Sequence, residues 1–253
     1  NVRLQIGRKT YRPFPCNRPM GPMGCRDAAR VLLIFVFTSV SAFKLLDVGA
    51  PRTGTQSMFD AMRILGLHPM HSGYEMFLRP KLCAYLFGNG TLDDALGVMA
   101  NFDSAMDEPV MLMYEEIMAA YPEAKFLLTI SEPESWFNNY VNLVQMMHQA
   151  GKYENHMPDF LTECTAMRSW GCYMLNSTEA QKATCLENYH RHNQRVQEVI
   201  PPERLLVYNW ADGWAPLAHF LQTAIPEEEF PHDDPVRTHF ENVTNVTNKT
   251  SES

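Results

Sequence analysis

The stretch LLDVGAPRTGTQSMFDAM, residues 45–62, has the residue types and spacing of an anion-binding turn. A short apolar run leads into a turn with Gly49, Arg52 and Gly54, and an amphipathic pattern typical of a helix follows. A strand, a glycine-bearing turn and a helix N-terminus present successive backbone N–H groups to an anion, and the helix dipole also favours negative charge. The sequence therefore predicts an anion-binding loop that contains one guanidinium.

The glycine spacing is that of a nucleotide-binding P-loop, Gly-x4-Gly. The lysine and the serine or threonine that normally follow are replaced by Thr55 and Gln56. Without the lysine, ordinary hydrolysis of ATP or GTP is disfavoured. A guanidinium at Arg52 still suits phosphate or sulfate oxygens, because its planar fork matches their geometry.

The elements that must position this loop alternate between strands and helices. Buried apolar runs predict strands over 43–49, 125–130 and 204–208. Helical patterns cover 54–67, 91–102, 109–121, 133–149, 158–173, 178–200 and 214–221. This alternation predicts an α/β fold, a P-loop three-layer fold in which a parallel sheet carries helices on both faces. Ligands of such sheets bind at the carboxyl ends of the strands.

The composition and the hydrophobic runs predict one globular domain with a segment on either side. The chain has 253 residues, of which 45% are hydrophobic and 20% charged. The longest apolar stretch, VLLIFVFTSVSAF, follows Arg26 and Arg30 and contains small residues near its end, as in a signal peptide. We therefore expect an N-terminal extension plus signal peptide over 1–42 (the signal at about 23–42), a domain over 43–235 and a disordered, sequon-rich tail over 236–253. A buried strand is the alternative reading of the apolar stretch.

The charge distribution argues against nucleic acid as a partner. Residues 1–42 hold seven of the 21 Lys and Arg residues and one of the 29 Asp and Glu residues, which leaves 14 basic against 28 acidic side chains. Binding to nucleic acid depends on neutralising phosphates with basic side chains. An anionic ligand of this acidic body must therefore be held by a few well-placed groups.

Five N-glycosylation sequons support passage through the secretory pathway. They begin at Asn89, Asn176, Asn242, Asn245 and Asn248. Three of them lie within nine residues of the polar tail, so N-glycans are expected on an exposed terminus. An unglycosylated, disordered tail rich in Asn and Thr is the alternative.

Four cysteines follow the predicted signal peptide, and an oxidising lumen allows them to form two disulfides. Three pairings are possible. We expect Cys172–Cys185 around the polar turn at Asn176, with Cys83–Cys164 as the second pair. Free buried thiols are the alternative.

Several sequence blocks resemble the sulfotransferases that use 3′-phosphoadenosine-5′-phosphosulfate (PAPS), in the branch with a Gly-x-x-Arg-Thr-Gly-Thr loop. The blocks VGAPRTGTQSM, AAYPEAKFLLT, EPESWFNNY, PPERLLVYNWADGWAPLAHFL and FPHDD occur in this order over residues 48–234. The resemblance implies transfer of a sulfonate from PAPS to a hydroxyl or amine acceptor, such as a glycan or a small metabolite, without a metal. With the signal peptide and sequons, it implies a location in the Golgi lumen or outside the cell.

The resemblance also implies roles for particular residues. The 5′-phosphosulfate would be bound by the loop residues Arg52, Thr53, Gly54, Thr55, Gln56 and Ser57. The family binds the 3′-phosphate with an arginine and a serine whose positions here fall on Ser131 and Asn139. Both residues depart from that pattern, and Ser131 in particular lacks the positive charge that suits a phosphate. Arg191, Arg195 and Lys152 are candidate replacements.

Three residues are candidates for the base that removes the acceptor proton. Asp107 lies just before a predicted helix, where a carboxylate is also a common cap. His71 and Glu75 follow the loop helix, and their structural alternatives are a surface histidine and a solvated carboxylate. Two other functions stay open: a catalytically degenerate, glycosylated binding protein of the same fold, and a P-loop kinase or NTPase, which the missing lysine disfavours.

Overall fold

A computed structural model of the chain describes residues 43–149, 172, 174 and 176–232, excluding the side chains of residues 76 and 147–149. The predicted signal peptide, the C-terminal tail and the helix predicted over 158–173 lie outside these residues.

The centre of the fold is a parallel sheet of five strands, as the alternating pattern predicts. The strands are β1 (Leu45–Asp47), β2 (Pro69–His71), β3 (Ser104–Met106), β4 (Lys125–Thr129) and β5 (Leu205–Tyr208). Their order is β2-β3-β1-β4-β5, and every neighbouring pair is parallel. β1 and the loop that follows it are therefore central, and the carboxyl ends of all five strands lie at one edge.

The helices between the strands follow the predicted order with some changes. They are α1 (Thr55–Ile64), α2 (Arg79–Phe87), α3 (Leu92–Gly97), α4 (Tyr114–Ala120), α5 (Pro133–Gln149), α6 (Glu179–Val199) and α7 (Trp214–Leu221). The predictions over 133–149 and 214–221 are confirmed at both ends. The helix predicted over 109–121 divides into a 3-10 turn (Val110–Met113) and α4. α2, β2 and β3 were not predicted.

Successive residues of β1 face opposite sides of the sheet and pack into two different cores. Leu45 packs with side chains of α1 and α7, including Met58 and Leu217. Leu46 packs with side chains of α2, α3 and α4, including Leu82. Helices therefore cover both faces, which is the three-layer arrangement that the sequence predicts.

A third buried cluster joins α5, α6 and the loop after β1. Its members include Ala50, Trp136, Tyr189 and the disulfide pair. The predicted Cys172–Cys185 disulfide is confirmed, with the two Cα atoms 4.8 Å apart. The second predicted pair, Cys83–Cys164, cannot be compared because Cys164 is not among the described residues.

α6 begins at a capping box that fixes its first turn against the polar turn before it. The Thr178 hydroxyl accepts a hydrogen bond from the Gln181 N–H at 3.3 Å, and the Gln181 side chain accepts one from the Thr178 N–H at 2.8 Å. The sequon residues Asn89 and Asn176 are both exposed. In the described part of the chain, no helix is long and apolar enough to cross a bilayer.

Candidate active site

The predicted loop connects β1 to α1, and two glycines make its path possible. A Cβ at Gly49 would lie 1.9 Å from the Thr129 Oγ1 atom and 2.5 Å from the Thr129 carbonyl oxygen. Gly54 has φ 102° and ends the loop against Trp210, whose Cβ would lie 3.1 Å from a Cβ at Gly54. Gly49 thus permits a close approach to β4, and Gly54 supplies the left-handed turn into α1.

The end of this loop presents a row of unused backbone donors. The Thr53 N–H bonds the Ala50 carbonyl at 3.3 Å, and the Met58 N–H bonds the Gly54 carbonyl at 3.0 Å. Between them, the N–H groups of residues 54–57 contact no hydrogen-bond acceptor among the described residues. The first turn of α1 also has no acidic residue and no side-chain cap. Four free donors at a helix N-terminus form a cradle for an anion.

Arg52 lies within the same loop in a left-handed conformation, with φ 70°. This conformation is uncommon for residues other than glycine and costs on the order of 1–3 kcal/mol. The side chain is partly exposed. A guanidinium held in the loop supplies the charge that the P-loop lysine supplies in nucleotide hydrolases.

Thr53, which the resemblance assigns to the ligand, uses its hydroxyl inside the loop. The side chain is fully buried, and its Oγ1 atom lies 2.6 Å from the Ala50 carbonyl oxygen and 2.7 Å from the Thr129 Oγ1 atom. Thr129 in turn contacts the Asp47 carboxyl at 3.0 and 3.2 Å. The Thr53 hydroxyl therefore stabilises the loop through its contacts with Ala50 and Thr129. Thr55 and Ser57 lie in the first turn of α1.

Asp47 is buried beneath the loop and connects its first residues to β4. The Thr129 hydroxyl donates to the Asp47 carboxyl, and the Asp47 Oδ1 atom also accepts from the Gly49 N–H at 2.9 Å. Burial raises the pKa of Asp47 to about 7.

Asp47 is expected to make the protein less stable as the pH rises from about 4 to about 7. In this window the unfolded chain releases a proton that the folded chain keeps, because the pKa of Asp47 is raised from 3.8 to about 7. The contribution is at most about 1.4 kcal/mol per pH unit. Chemical denaturation at several pH values between about 4 and 7 should show that the unfolding free energy falls less steeply with pH in Asp47→Asn than in the wild type. An unchanged slope would contradict the raised pKa.

Two helices anchor the loop from the side. The indole Nε1–H of Trp136 in α5 donates to the Pro51 carbonyl at 2.9 Å, and the Trp136 ring stacks on Tyr189 with centroids 4.3 Å apart. His192 in α6 places its Nε2 atom 2.7 Å from the Val48 carbonyl oxygen. Burial lowers the pKa of His192, so the neutral ring donates from Nε2. The His192 contact was not predicted, because its partner lies 144 positions away in the sequence.

Replacing Trp136 with phenylalanine is expected to loosen the loop without removing the ring stack. The Pro51 carbonyl loses its buried donor, which costs about 1–3 kcal/mol of unfolding free energy. Thermal denaturation and a nucleotide titration of the variant would measure both the stability and the binding. Trp214→Phe is the control, because it removes an indole hydrogen bond to the Glu228 carbonyl, 2.7 Å long, that does not involve the loop. Equal loss of nucleotide binding in both variants would contradict a specific role for the Trp136 hydrogen bond.

Two of the predicted base candidates come together at the carboxyl ends of β2 and β3. The His71 Nδ1 atom lies 3.5 Å from the Asp107 Oδ2 atom. Asp107 has φ 71°, a strained conformation of the kind that clusters at functional sites.

The hydrogen bonds of His71 and Glu75 leave Asp107 as the best-placed base. The Glu75 Oε2 atom accepts from the His71 backbone N–H at 2.9 Å, so Glu75 caps the local turn. The Gly73 N–H donates to the His71 Nδ1 atom at 3.2 Å, which assigns the ring proton to Nε2. In this tautomer Nε2 carries the proton and the Nδ1 lone pair accepts from Gly73, so His71 has no free lone pair to accept a proton. The Asp107 carboxylate does have one.

The structure places the predicted 3′-phosphate residues after β4 and on α5. Tyr189 accepts from the Ser131 N–H and donates to the Ser131 carbonyl, both at 3.0 Å, and Asn139 is exposed. Of the candidate replacements, Arg191 pairs with Glu187 at 2.9 Å.

The other two candidate replacements for the 3′-phosphate site are Arg195 and Lys152. Arg195 pairs with Glu115 at 3.2 Å, and Lys152 lies outside the described residues. Among the described residues, no group of three His, Cys, Asp or Glu side chains is close enough to hold a metal ion.

Comparison with known proteins identifies the class of protein. Residues 44–238 match the sulfotransferase domain family, so the chain belongs to this family and is a transferase of the sulfotransferase kind. The fold and the loop between β1 and α1 agree with this assignment. The chain is also 30% identical over 220 residues to a protein of Aspergillus versicolor named Ava biosynthesis cluster protein M. The aligned part covers 78% of this chain and 84% of that relative.

Proposed function

We propose that this protein transfers a sulfonate from PAPS to a hydroxyl or amine acceptor. The observation that carries the proposal is the row of unused N–H donors at residues 54–57, beside Arg52 and at the start of α1. These groups fit the 5′-phosphosulfate of PAPS, because they offer aimed donors and a fixed charge to its oxygens. Family membership independently supports sulfotransfer.

The reaction requires three contributions from the chain. The loop holds the phosphosulfate in line with the acceptor, and Arg52 with the loop amides stabilises charge on the sulfonate and on the leaving phosphate. Asp107 accepts the proton from the acceptor hydroxyl. The new bond joins the acceptor oxygen to sulfur, the bond from sulfur to the bridging oxygen breaks, and adenosine 3′,5′-bisphosphate leaves.

The 3′-phosphate distinguishes PAPS from other adenine nucleotides, and we place it near Ser131 and Asn139 by the resemblance to the family. Neutral groups at these positions would bind it more weakly than the arginine and serine of that pattern. A preference for the bisphosphate over adenosine monophosphate therefore tests the donor directly.

We also propose that the protein works in the lumen of the secretory pathway or outside the cell. The Cys172–Cys185 disulfide supports this location, because disulfides persist in oxidising compartments. Exposure of the sequon residues Asn89 and Asn176 is compatible with N-glycans. The relative's name assigns it to a biosynthesis cluster, which favours a small metabolite over a glycan as the acceptor.

Thermal shift with three nucleotides tests the proposal. Adenosine 3′,5′-bisphosphate should raise the melting temperature, and adenosine monophosphate and Mg-ATP should raise it much less. Indifference to all three would favour a binding protein that has lost catalysis. A response to Mg-ATP alone would favour a kinase or NTPase, and either result would overturn the proposal.

A further inference from the structure

Trp210 places an aromatic side chain directly against the anion cradle. Gly54 is the first residue of the row of unused donors, and a Cβ there would lie 3.1, 3.2 and 3.3 Å from the Trp210 Cβ, Cδ1 and Cγ atoms. Although it contacts the loop, Trp210 is 41% exposed. A large part of this aromatic side chain is therefore open to a ligand that the loop holds.

Hydrogen bonds fix the turn that carries Trp210. The residue begins a 3-10 turn (Trp210–Asp212) just after β5. The Asn209 Oδ1 atom accepts from the Ala211 N–H at 3.0 Å, and the Asp212 Oδ2 atom accepts from the Asn209 N–H at 3.1 Å. The indole is therefore positioned before a ligand binds, which lowers the entropy cost of binding.

Neighbouring rings also orient the indole. The His232 ring lies with its centroid 5.5 Å from that of Trp210, at an angle of 75° between the two planes. His232 in turn contacts Phe230, which belongs to the buried cluster between the sheet, α1 and α7. Trp210 thus joins the core on one side and the anion cradle on the other.

The strand order places Trp210 on the side of the loop that is opposite the proposed proton acceptor. The loop follows β1, the central strand of the order β2-β3-β1-β4-β5. Asp107 follows β3 on one side of β1, whereas Ser131 follows β4 and Trp210 follows β5 on the other side. A nucleoside can therefore extend from the loop towards β4 and β5 and leave the side of β2 and β3 to the acceptor.

We propose that Trp210 binds the base of the nucleotide by stacking against it while the loop holds the 5′-phosphosulfate. This inference rests on the proposed nucleotide site and names the residue that binds the base. Every base has a π face that an indole can cover. Stacking also supplies affinity without charge, on the side of the site where Ser131 and Asn139 offer the 3′-phosphate only neutral groups.

Calorimetric titration with two matched ligands tests the stacking. 2′-Deoxyadenosine 3′,5′-bisphosphate carries the base, and its abasic tetrahydrofuran analogue carries the same two phosphates without it. Wild type should bind the ligand with the base about tenfold or more tightly than the abasic analogue. Measurable binding of both ligands with equal affinity would overturn the inference.

Variants of Trp210 locate the preference for the ligand with the base. Trp210→Ala should remove most of it by weakening only that ligand, and Trp210→Phe should keep part of it because a smaller ring still stacks. Phe77→Ala is the matched control, because Phe77 is a 78% exposed aromatic residue that follows β2, at the opposite edge of the sheet from β5. A full preference in Trp210→Ala would overturn the assignment.

Tryptophan fluorescence gives a second test that does not depend on the alanine variant being folded. Stacking should quench the emission of wild type when the ligand with the base binds, and the abasic analogue should quench it much less. Trp210→Phe should lose this difference, although Trp136 and Trp214 remain. An equal difference in wild type and Trp210→Phe would assign the quenching to another tryptophan and contradict the inference.

The inference and the proposed function fail in different ways. If both ligands bind wild type equally well, Trp210 does not bind the base and the anion cradle stands. If neither ligand binds, the proposed nucleotide site falls and the role of Trp210 falls with it.

Discussion

Replacing Asp107 with asparagine is expected to slow sulfonate transfer by about 10²- to 10⁴-fold. The variant loses the proposed base, and this is the usual contribution of a positioned proton acceptor. Asparagine is the suitable replacement because it tolerates the left-handed conformation that Asp107 adopts at φ 71°. The rate is measured as adenosine 3′,5′-bisphosphate released from PAPS with a small phenol or alcohol as acceptor.

Binding of the bisphosphate should be unchanged in this variant, since Asp107 is not part of the loop. Asp60→Asn is the control, because it removes a partly exposed carboxylate of α1 whose Oδ1 atom lies 3.8 Å from the Arg63 Nη1 atom. A variant at Asp107 that retains the wild-type rate would show that another group accepts the proton.

Replacing Gly49 with alanine is expected to disrupt the loop and to cost about 3 kcal/mol or more of unfolding free energy. The new Cβ would lie 1.9 Å from the Thr129 Oγ1 atom and 2.5 Å from the Thr129 carbonyl oxygen, so β1 and β4 would have to separate locally. Chemical denaturation measures the loss of stability, and the bisphosphate titration measures the loss of binding.

A double variant separates the clash with the Thr129 hydroxyl from the clash with the Thr129 carbonyl oxygen, and a third variant is the control. Adding Thr129→Ala removes the contact with the hydroxyl but leaves the contact with the backbone oxygen, so the double variant should recover only part of the stability. Gly97→Ala is the control, because nothing lies within 4 Å of a Cβ there. Wild-type stability in Gly49→Ala would contradict the close approach of the two strands.

The sequence predicted those parts of the fold whose patterns are long. α5 and α7 have clear helical periodicity, and their bounds were found. β2 and β3 were missed because each has only three residues and neither contains a β-branched side chain. α4 was predicted to start at Pro109, but the chain forms a 3-10 turn before it.

The features of the site that contiguous residues form could be predicted from the sequence, whereas those that depend on residues far apart in the chain could not. The loop was recognisable because its glycines, Arg52 and the following helix are contiguous in sequence. The roles of Asp47 and Thr53 depend on Thr129, which lies more than 70 positions away in sequence. The burial of Arg79 was not predicted, because a single arginine in an apolar segment gives no sign of being buried. Such contacts become visible only when the strands are assembled.

The central claim is that the loop after β1 holds the sulfated end of PAPS through its backbone donors and Arg52. Calorimetric titration of wild type, Arg52→Ala and Arg63→Ala with adenosine 3′,5′-bisphosphate tests it most directly. Arg63 is an exposed arginine of α1 and serves as the matched control. The account predicts tight binding by wild type and Arg63→Ala, and binding weakened about tenfold or more in Arg52→Ala. Equal binding by all three proteins, or no binding by the wild type, would contradict it.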